Sequence, residues 1–387
     1  LRQNHFDRAR KALASRGDDL QARYLLSYVD AASGDFQAAA AAADGVLKQR
    51  PGAKGVQLAR WLYEYRAGNR PDAETLAELA AGGAVAPFAR FIAGMEAAAG
   101  GDAQSALDHW QRAEGFLPGF TVAGLEPAQV TLSQQAARHM GVGLLFQLKG
   151  LPRAAADELN QAVRAAPGSP LAHYFAAIAA GQDKAAAMKH LHQAVSKAPN
   201  LFPARYMLAE LELAKGDLPA AMEQYRQAAE TRPDPGVLIR LGLLQERAGQ
   251  PEQAAQTYRR FVEHHPNNFI GHNQLAWLYA KQGIKLDQAL SLARTADRLQ
   301  PGNASINDTL GWIHFQQGDL AKALEHLRRA NHIANTGNPE ILFHLATVQQ
   351  RLGNNDAARR NLEKALSLSE RFEGHQQARQ LLSRLQD

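Results

Sequence analysis

The stretch NDTLGWIHFQQGDLAKALEHLRRA, residues 307–330, decides the fold of this chain. Asn307, Leu310, Gly311 and His314 recur at helical spacing, Gly318-Asp319 supplies a turn, and Ala323, Leu327 and Ala330 resume the same period after it. This is the pattern of one antiparallel helix pair. Leu310 is an anchor, Gly311 has no side chain to hold the next helix off, and Ala323 is a small residue of the second helix. One pair cannot bury its apolar faces alone, so the unit is expected to recur along the chain.

Turn glycines carry the recurrence. They stand at Gly34, Gly68, Gly101, Gly150, Gly181, Gly216, Gly249, Gly283, Gly318 and Gly353. Successive spacings are 34, 33, 49, 31, 35, 33, 34, 35 and 35, so a single gap breaks the period. Pro51, Pro118, Pro167, Pro233 and Pro266 each lie 17 residues after a turn glycine, and Pro199 and Pro301 lie 18 after. Proline there stops the second helix and starts the next pair. With these marks the sequence resembles the tetratricopeptide repeat (TPR), a helix–turn–helix unit of about 34 residues. The resemblance implies an all-α, right-handed superhelical solenoid of antiparallel helix pairs, about 22 helices with no sheet.

Phe6, Ala9, Ala12 and Leu13 read as the second helix of a repeat whose first helix precedes the sequence, so an originally longer protein is expected. Repeats follow over residues 18–51, 52–86 and 87–118; the second is crowded by Trp61, Leu62, Tyr63 and Tyr65. The 49-residue gap then places an insertion over residues 119–132, where Gly119, Thr121, Gly124, Pro127 and Thr131 predict a loop or a short helical turn. It is read either as part of a binding face or as a surface insertion between two sub-arrays. Regular repeats run from 133 to 372. In the final segment, 373–387, Ala378, Leu381, Leu382 and Leu385 form one apolar stripe, as a capping helix requires. The expected organisation is therefore a sub-array over 1–118, the insertion, a second sub-array over 133–372, and the cap.

Composition agrees with thin helical layers. The hydrophobic share is 45%, much of it alanine, the best helix former. Basic and acidic residues number 43 and 38 and are spread along the chain, which gives no concentrated basic face for nucleic acid. There is no cysteine, which excludes disulfides, thiolate metal sites and cysteine nucleophiles. No apolar run reaches the roughly 18 residues of a membrane span. The chain starts at Leu1 without an initiator methionine, so an upstream segment is expected to have been removed.

No phosphate-binding loop, nucleophile elbow or zinc-protease helix can be read, and no enzyme, catalytic residue, cofactor or metal is expected. His190 with His192 and His264 with His265 are one or two residues apart, whereas helical ligands sharing an ion need three or four. Glu210 and Glu212 are two apart and are read as solvated charge. Asn303-Ala304-Ser305 matches a glycosylation pattern but opens a core helix, where Asn303 or Ser305 serves better as a cap.

The TPR resemblance implies that first helices line a concave face, exposing residues ten, six, three and two before each turn glycine. Counting back gives a partner-binding set of Tyr24, Tyr28, Phe91, Met95, Tyr206, Arg247, Asn273, Trp277, Lys281, Asp308, Trp312, Phe315 and Arg351. Exposed aromatics interspersed with arginine favour protein or peptide partners. The opposing reading has Trp277 and Trp312 packed between first helices as core. A clamp for a C-terminal carboxylate is not expected, since only Asn273 and Lys281 approach it while Ile239 and Asp308 stand at the neighbouring positions.

Residues 272–279 (HNQLAWLY), 287–296 and 303–327 resemble the C-terminal repeats of bacterial exopolysaccharide-associated TPR proteins, above all those linked to exosortase and PEP-CTERM sorting. That resemblance is sharp over residues 267–372. It implies a non-enzymatic scaffold in the periplasm, lipid-anchored through a missing N-terminus, with partners in a secretion or polysaccharide assembly. Two alternatives share the repeat features: a cytoplasmic co-chaperone-like or regulatory adaptor, and a solenoid whose tryptophans stack on polysaccharide.

Overall fold

The computed structural model describes residues 2–17, 19–69, 71–113, 115–117, 120–335 and 337–386, and side chains from residue 5 onward. Pro118 and Gly119, expected to end the third repeat and open the insertion, lie outside the described residues. Among the described residues there are 22 α-helices and no strand. They form two compact units, Leu1–Arg232 and Pro233–Asp387.

The first unit opens on α1 (Arg2–Ala14), which packs on α2 (Leu20–Ser33) as a second helix would. Helix α2 pairs with α3 (Phe36–Leu47), α4 (Lys54–Arg66) with α5 (Ala73–Ala81), and α6 (Ala86–Ala99) with α7 (Ala103–Gln111). After the insertion come α8 (Gln134–Leu148) with α9 (Pro152–Ala165), α10 (Pro170–Ala179) with α11 (Lys184–Lys197), and α12 (Phe202–Lys215) with α13 (Leu218–Thr231). The second unit pairs α14 (Pro235–Arg247) with α15 (Pro251–His264) and α16 (Phe269–Gln282) with α17 (Leu286–Leu299). It continues with α18 (Ala304–Gln316) and α19 (Leu320–Ala334), then α20 (Pro339–Arg351) and α21 (Asn355–Leu368), and closes on α22 (His375–Arg384).

Local chemistry explains these boundaries. All ten turn glycines hold a positive φ, from 58° at Gly181 to 98° at Gly68, a region that costs other residues energy. In four turns the next residue is the aspartate that caps the second helix, as Asp319 does by accepting from Lys322 N at 3.1 Å. Asn303 caps α18 through Ser305 N and Ile306 N. Gly311 explains the close approach: a β-carbon there would lie 2.6 Å from Leu327 Cγ and 3.2 Å from the Ala323 carbonyl oxygen.

Except for α7, which meets the insertion instead, each second helix packs on the first helix of the next pair within its unit, and α16, α18 and α20 touch one another in turn. Helices α16, α18 and α20 thus make a continuous row. Helix α22 covers the last pair through Ala378, packed with Ala346, Ala358 and Leu362, as expected of a cap.

The insertion is built into the core of the first unit. Phe120, Thr121, Val122 and Leu125 are buried, and a short 3-10 turn follows at Pro127–Gln129. Phe202 N donates to the Ala123 carbonyl at 3.0 Å, and Gly124, at φ 81°, passes so near Asn200 that a β-carbon would overlap its carbonyl oxygen. The first half of the insertion is therefore an internal plug, while Glu126, Pro127, Ala128 and Thr131 stay exposed.

Candidate functional site

Inside the first unit the expected concave positions do not form an open face. Tyr28, Phe91 and Met95 are 6%, 0% and 0% exposed. The cause lies outside their own repeats. Helix α8 packs on both α4 and α6, with Gly141 leaving room for Leu62, Ile92 and Met95. Phe116 and the insertion's Phe120 fill the space before α6, and the Phe91 ring meets Phe116 at 4.6 Å, Phe120 at 5.3 Å and Phe175 at 5.3 Å. Arg66 fastens the closure through Glu158 at 2.8 Å, whose carboxylate also meets His139 at 2.8 Å.

Tyr24 is half-buried and shares a hydrogen bond with Tyr28 at 2.9 Å while Lys149 donates to its hydroxyl at 2.9 Å. Burial pushes the Tyr24 phenol up, but the hydrogen bonds from Lys149 and Tyr28 outweigh it and hold it below its ordinary value. Tyr206 is also half-buried, with its ring 6.3 Å from Phe202 and 6.0 Å from Tyr225. Both tyrosines are parts of packed polar-aromatic clusters.

The second unit keeps an open row. Trp277 on α16, Trp312 and Phe315 on α18, and Phe343 on α20 are each half-buried. His344 sits between the tryptophans, 5.3 Å from Trp277 and 4.5 Å from Trp312, and Phe315 stacks on Trp312 at 4.8 Å. Asp308, expected to be exposed, is buried. Its carboxylate accepts from His344 Nδ1 at 2.9 and 3.0 Å, so its role is to fix the histidine ring beneath the tryptophans. Trp277 and Trp312 therefore belong partly to both readings: each covers its neighbours and leaves part of its ring to solvent.

Cations border this ledge. Arg247, Lys281 and Arg351 occupy equivalent positions near the ends of α14, α16 and α20, and all three are exposed. Arg351 lies 5.9 Å above the Phe315 ring, a cation–π placement. Lys281 is 4.0 Å from Glu246 and pairs with Glu373. Burial pushes the Glu246 carboxyl above its ordinary value; the Tyr258 hydrogen bond at 2.8 Å and Lys281 oppose this incompletely, and Glu373 adds to it. Asn273 is half-buried, with Oδ1 enclosed and lacking a hydrogen-bond partner among the described residues.

The expected set lacks four members of this site: Glu246, His344, Phe372 and Glu373. Glu246 stands three residues before Gly249, a counted position left out of that set, while His344 sits on a first helix but off the counted positions. Phe372 and Glu373 come from the linker before the cap, which no repeat position describes. Elsewhere, Glu212 is buried against His192 at 3.7 Å and Lys215 at 3.5 Å, so it is not solvated charge. His190 pairs with His173 across 3.2 Å. Among the described residues no group of three or more His, Cys, Asp or Glu is placed to hold a metal ion, and no helix is long and apolar enough to cross a membrane.

Stacked helix pairs with a row of first helices presenting aromatic and cationic side chains define a helical-repeat scaffold. Two family models, both described as tetratricopeptide repeat, match residues 314–385 and residues 179–236, 239–304 and 285–339. Together they cover just over half of the chain, which belongs to the tetratricopeptide-repeat family. A TPR repeat-containing protein of Pseudomonas aeruginosa is 27% identical over 164 residues, 41% of this chain and 27% of that protein; the match thus spans about a quarter of that relative. Among solved structures, a tetratricopeptide repeat protein of Parabacteroides merdae is 17% identical, covering 66% of this chain and 100% of that one, at a TM-score of 0.44. A thermophilic TPR protein of Thermus thermophilus is 24% identical over 47% of this chain and 98% of that one, at 0.40. YrrB, described as a TPR protein with an unusual peptide-binding site, is 20% identical over 48% of this chain and 97% of that one, at 0.43.

Proposed function

We propose that this chain is a non-enzymatic scaffold that holds an extended segment of another protein along the first helices of its second unit. The observation that carries the reading is the half-open ledge of Trp277, Trp312 and Phe315 bordered by Arg247, Lys281 and Arg351. Amphipathic rings bury area at little entropic cost, and the cations set the charge of what lies on them. The tryptophan rings are tilted 48° to each other, which argues against a flat platform for a sugar ring.

A setting beside a bacterial exopolysaccharide synthesis, export or sorting machine in the periplasm is part of the proposal, resting on the resemblance over residues 267–372. Cell fractionation with affinity capture of native complexes tests it: co-purification of cytoplasmic chaperones, with the chain in the cytoplasm, would overturn that setting. Peptide-display selection on the purified chain tests binding itself. Selected peptides should lose at least about tenfold in affinity for the Trp277→Ala/Trp312→Ala variant, the scale of one interface hot spot. A variant that loses thermal stability but keeps full peptide affinity would return both tryptophans to the core and overturn the reading.

A further inference from the structure

The aromatic and cationic row of the second unit already has an occupant at Phe343 and Lys281, and it comes from the same chain. Between α21 and α22 the backbone turns at Ser369, whose hydroxyl accepts from Arg371 N at 3.0 Å, and then runs onto the first helices. There the Phe372 ring lies 6.5 Å from Phe343 on α20 and meets His375 edge-on at 5.3 Å. Glu373 N donates to Glu340 Oε1 on α20 at 3.3 Å, while its carboxylate pairs with Lys281 on α16. Lys281 is itself 4.0 Å from Glu246 on α14. Two neighbouring residues of the linker thus touch two first helices, and the Lys281 that pairs with Glu373 in turn reaches a third.

The chemistry of this occupant matches the surface: a ring on an aromatic position and a carboxylate on one of three aligned cations. We propose that residues 369–374 form a displaceable strap standing in for the partner, and that the partner segment carries an aromatic residue followed by a carboxylate. The proposal rests on the peptide-binding reading above and adds the chemistry of the ligand and the means of its regulation. The strap is held lightly. Lys281 and Glu373 are 43% and 49% exposed, and an exposed ion pair contributes little because water screens it and both side chains lose freedom. Two acids compete for Lys281, with Glu246 half-buried and hydrogen-bonded to Tyr258 and Glu373 exposed to solvent. A partner carboxylate arriving at Lys281 replaces Glu373 without leaving any buried charge unpaired.

The test uses the full chain and a fluorescein-labelled peptide, Ser-Glu-Arg-Phe-Glu-Gly, copied from residues 369–374, followed by anisotropy. A site blocked about nine-tenths of the time binds about tenfold more weakly than an open one. The Phe372→Ala/Glu373→Gln chain should therefore bind the peptide at least about tenfold more tightly than the unmodified chain. Exchanging the peptide's second glutamate for glutamine, or adding Lys281→Gln to the opened chain, should abolish that gain. Melting curves of each variant check folding, and Glu373→Gln alone serves as a milder opening should the double variant melt early. Equal peptide affinity for closed and opened chains, or no binding to either, overturns the strap. Display-selected peptides separate this failure from that of the broader reading. If they bind in a manner dependent on Trp277 and Trp312 but indifferent to Glu373→Gln, the strap falls and the binding face stands; if none binds through the tryptophans, both fall.

Discussion

At Gly311 a β-carbon would sit 2.6 Å from a branched carbon of Leu327 and 3.2 Å from a backbone oxygen, neither of which is the free end of a flexible chain. Gly311→Ala gains about 1 kcal/mol of helix propensity, yet overpacking a tight contact costs about 1–3 kcal/mol. Net destabilisation is expected, read as faster hydrogen exchange in α18 and α19, and slower exchange there would show the contact to be loose. A second residue-scale prediction concerns protons. Burial holds the imidazoles of His173, His190, His314 and His326 below their ordinary value. Within each pair the neighbouring histidine adds to this, through His173 on His190 and His326 on His314. The unfolded chain then binds more protons than the folded one between the ordinary histidine value, about 6.5, and the lower folded values. Stability is fully present above that ordinary value and falls as pH drops through the window. Urea midpoints at pH 7.5 and 5.0 should show a loss on acidification that His190→Gln and His326→Gln reduce; an unchanged loss in both variants would remove these pairs as the cause.

Among elements, the insertion separates what a sequence can and cannot disclose. Turn glycines, aspartate caps and the Leu-Gly anchor act within one repeat, so the helices and their pairing follow from residues a few positions apart. Phe91 and Met95 occupy proper inner positions on α6, but their burial depends on α8 and on Phe120, which arrive from farther along the chain. A count of inner positions assumes every repeat has the same surroundings, and that assumption fails beside the insertion. It holds for Trp277, Trp312, Phe315, Lys281 and Arg351 because α16, α18 and α20 follow one another without interruption. Asp308 departs again because His344, on the next first helix, takes up its carboxylate. Phe120→Ala should accordingly cost about 3–5 kcal/mol, the usual penalty for emptying a buried aromatic site. A change under about 0.5 kcal/mol by chemical denaturation would return the segment to the class of tolerated surface insertions.

Each unit, taken by itself, buries its side chains in a different pattern, and that pattern separates closure from openness at the scale of the whole molecule. In the first unit one large cluster runs from Tyr28 to Leu208, joined by the plug and by α8, with a small separate one of Ala43, Val46 and Val56 beside it. Buried residues described in the second unit fall into successive clusters instead, one from Ala254 to Ile313, one from Ala323 to Val348 and one from Ala346 to Ala378. A continuous core couples its helices into one cooperative block, whereas layers joined only to neighbours behave as nearest-neighbour units that open in steps. Such steps suit an open binding row, because a layer can adjust to a ligand without unfolding the rest. Native-state hydrogen exchange should therefore give α4, α6, α8 and α10 one shared opening free energy. Protection across α16, α18 and α20 should instead be graded, each helix pair with its own denaturant dependence. Phe120→Ala should lower protection across the whole block of the first unit, while Gly311→Ala should lower it mainly in α18, α19 and the pairs beside them. A single opening free energy shared by all helices of the second unit would contradict the layered core and, with it, the physical basis for locating the adaptable face there.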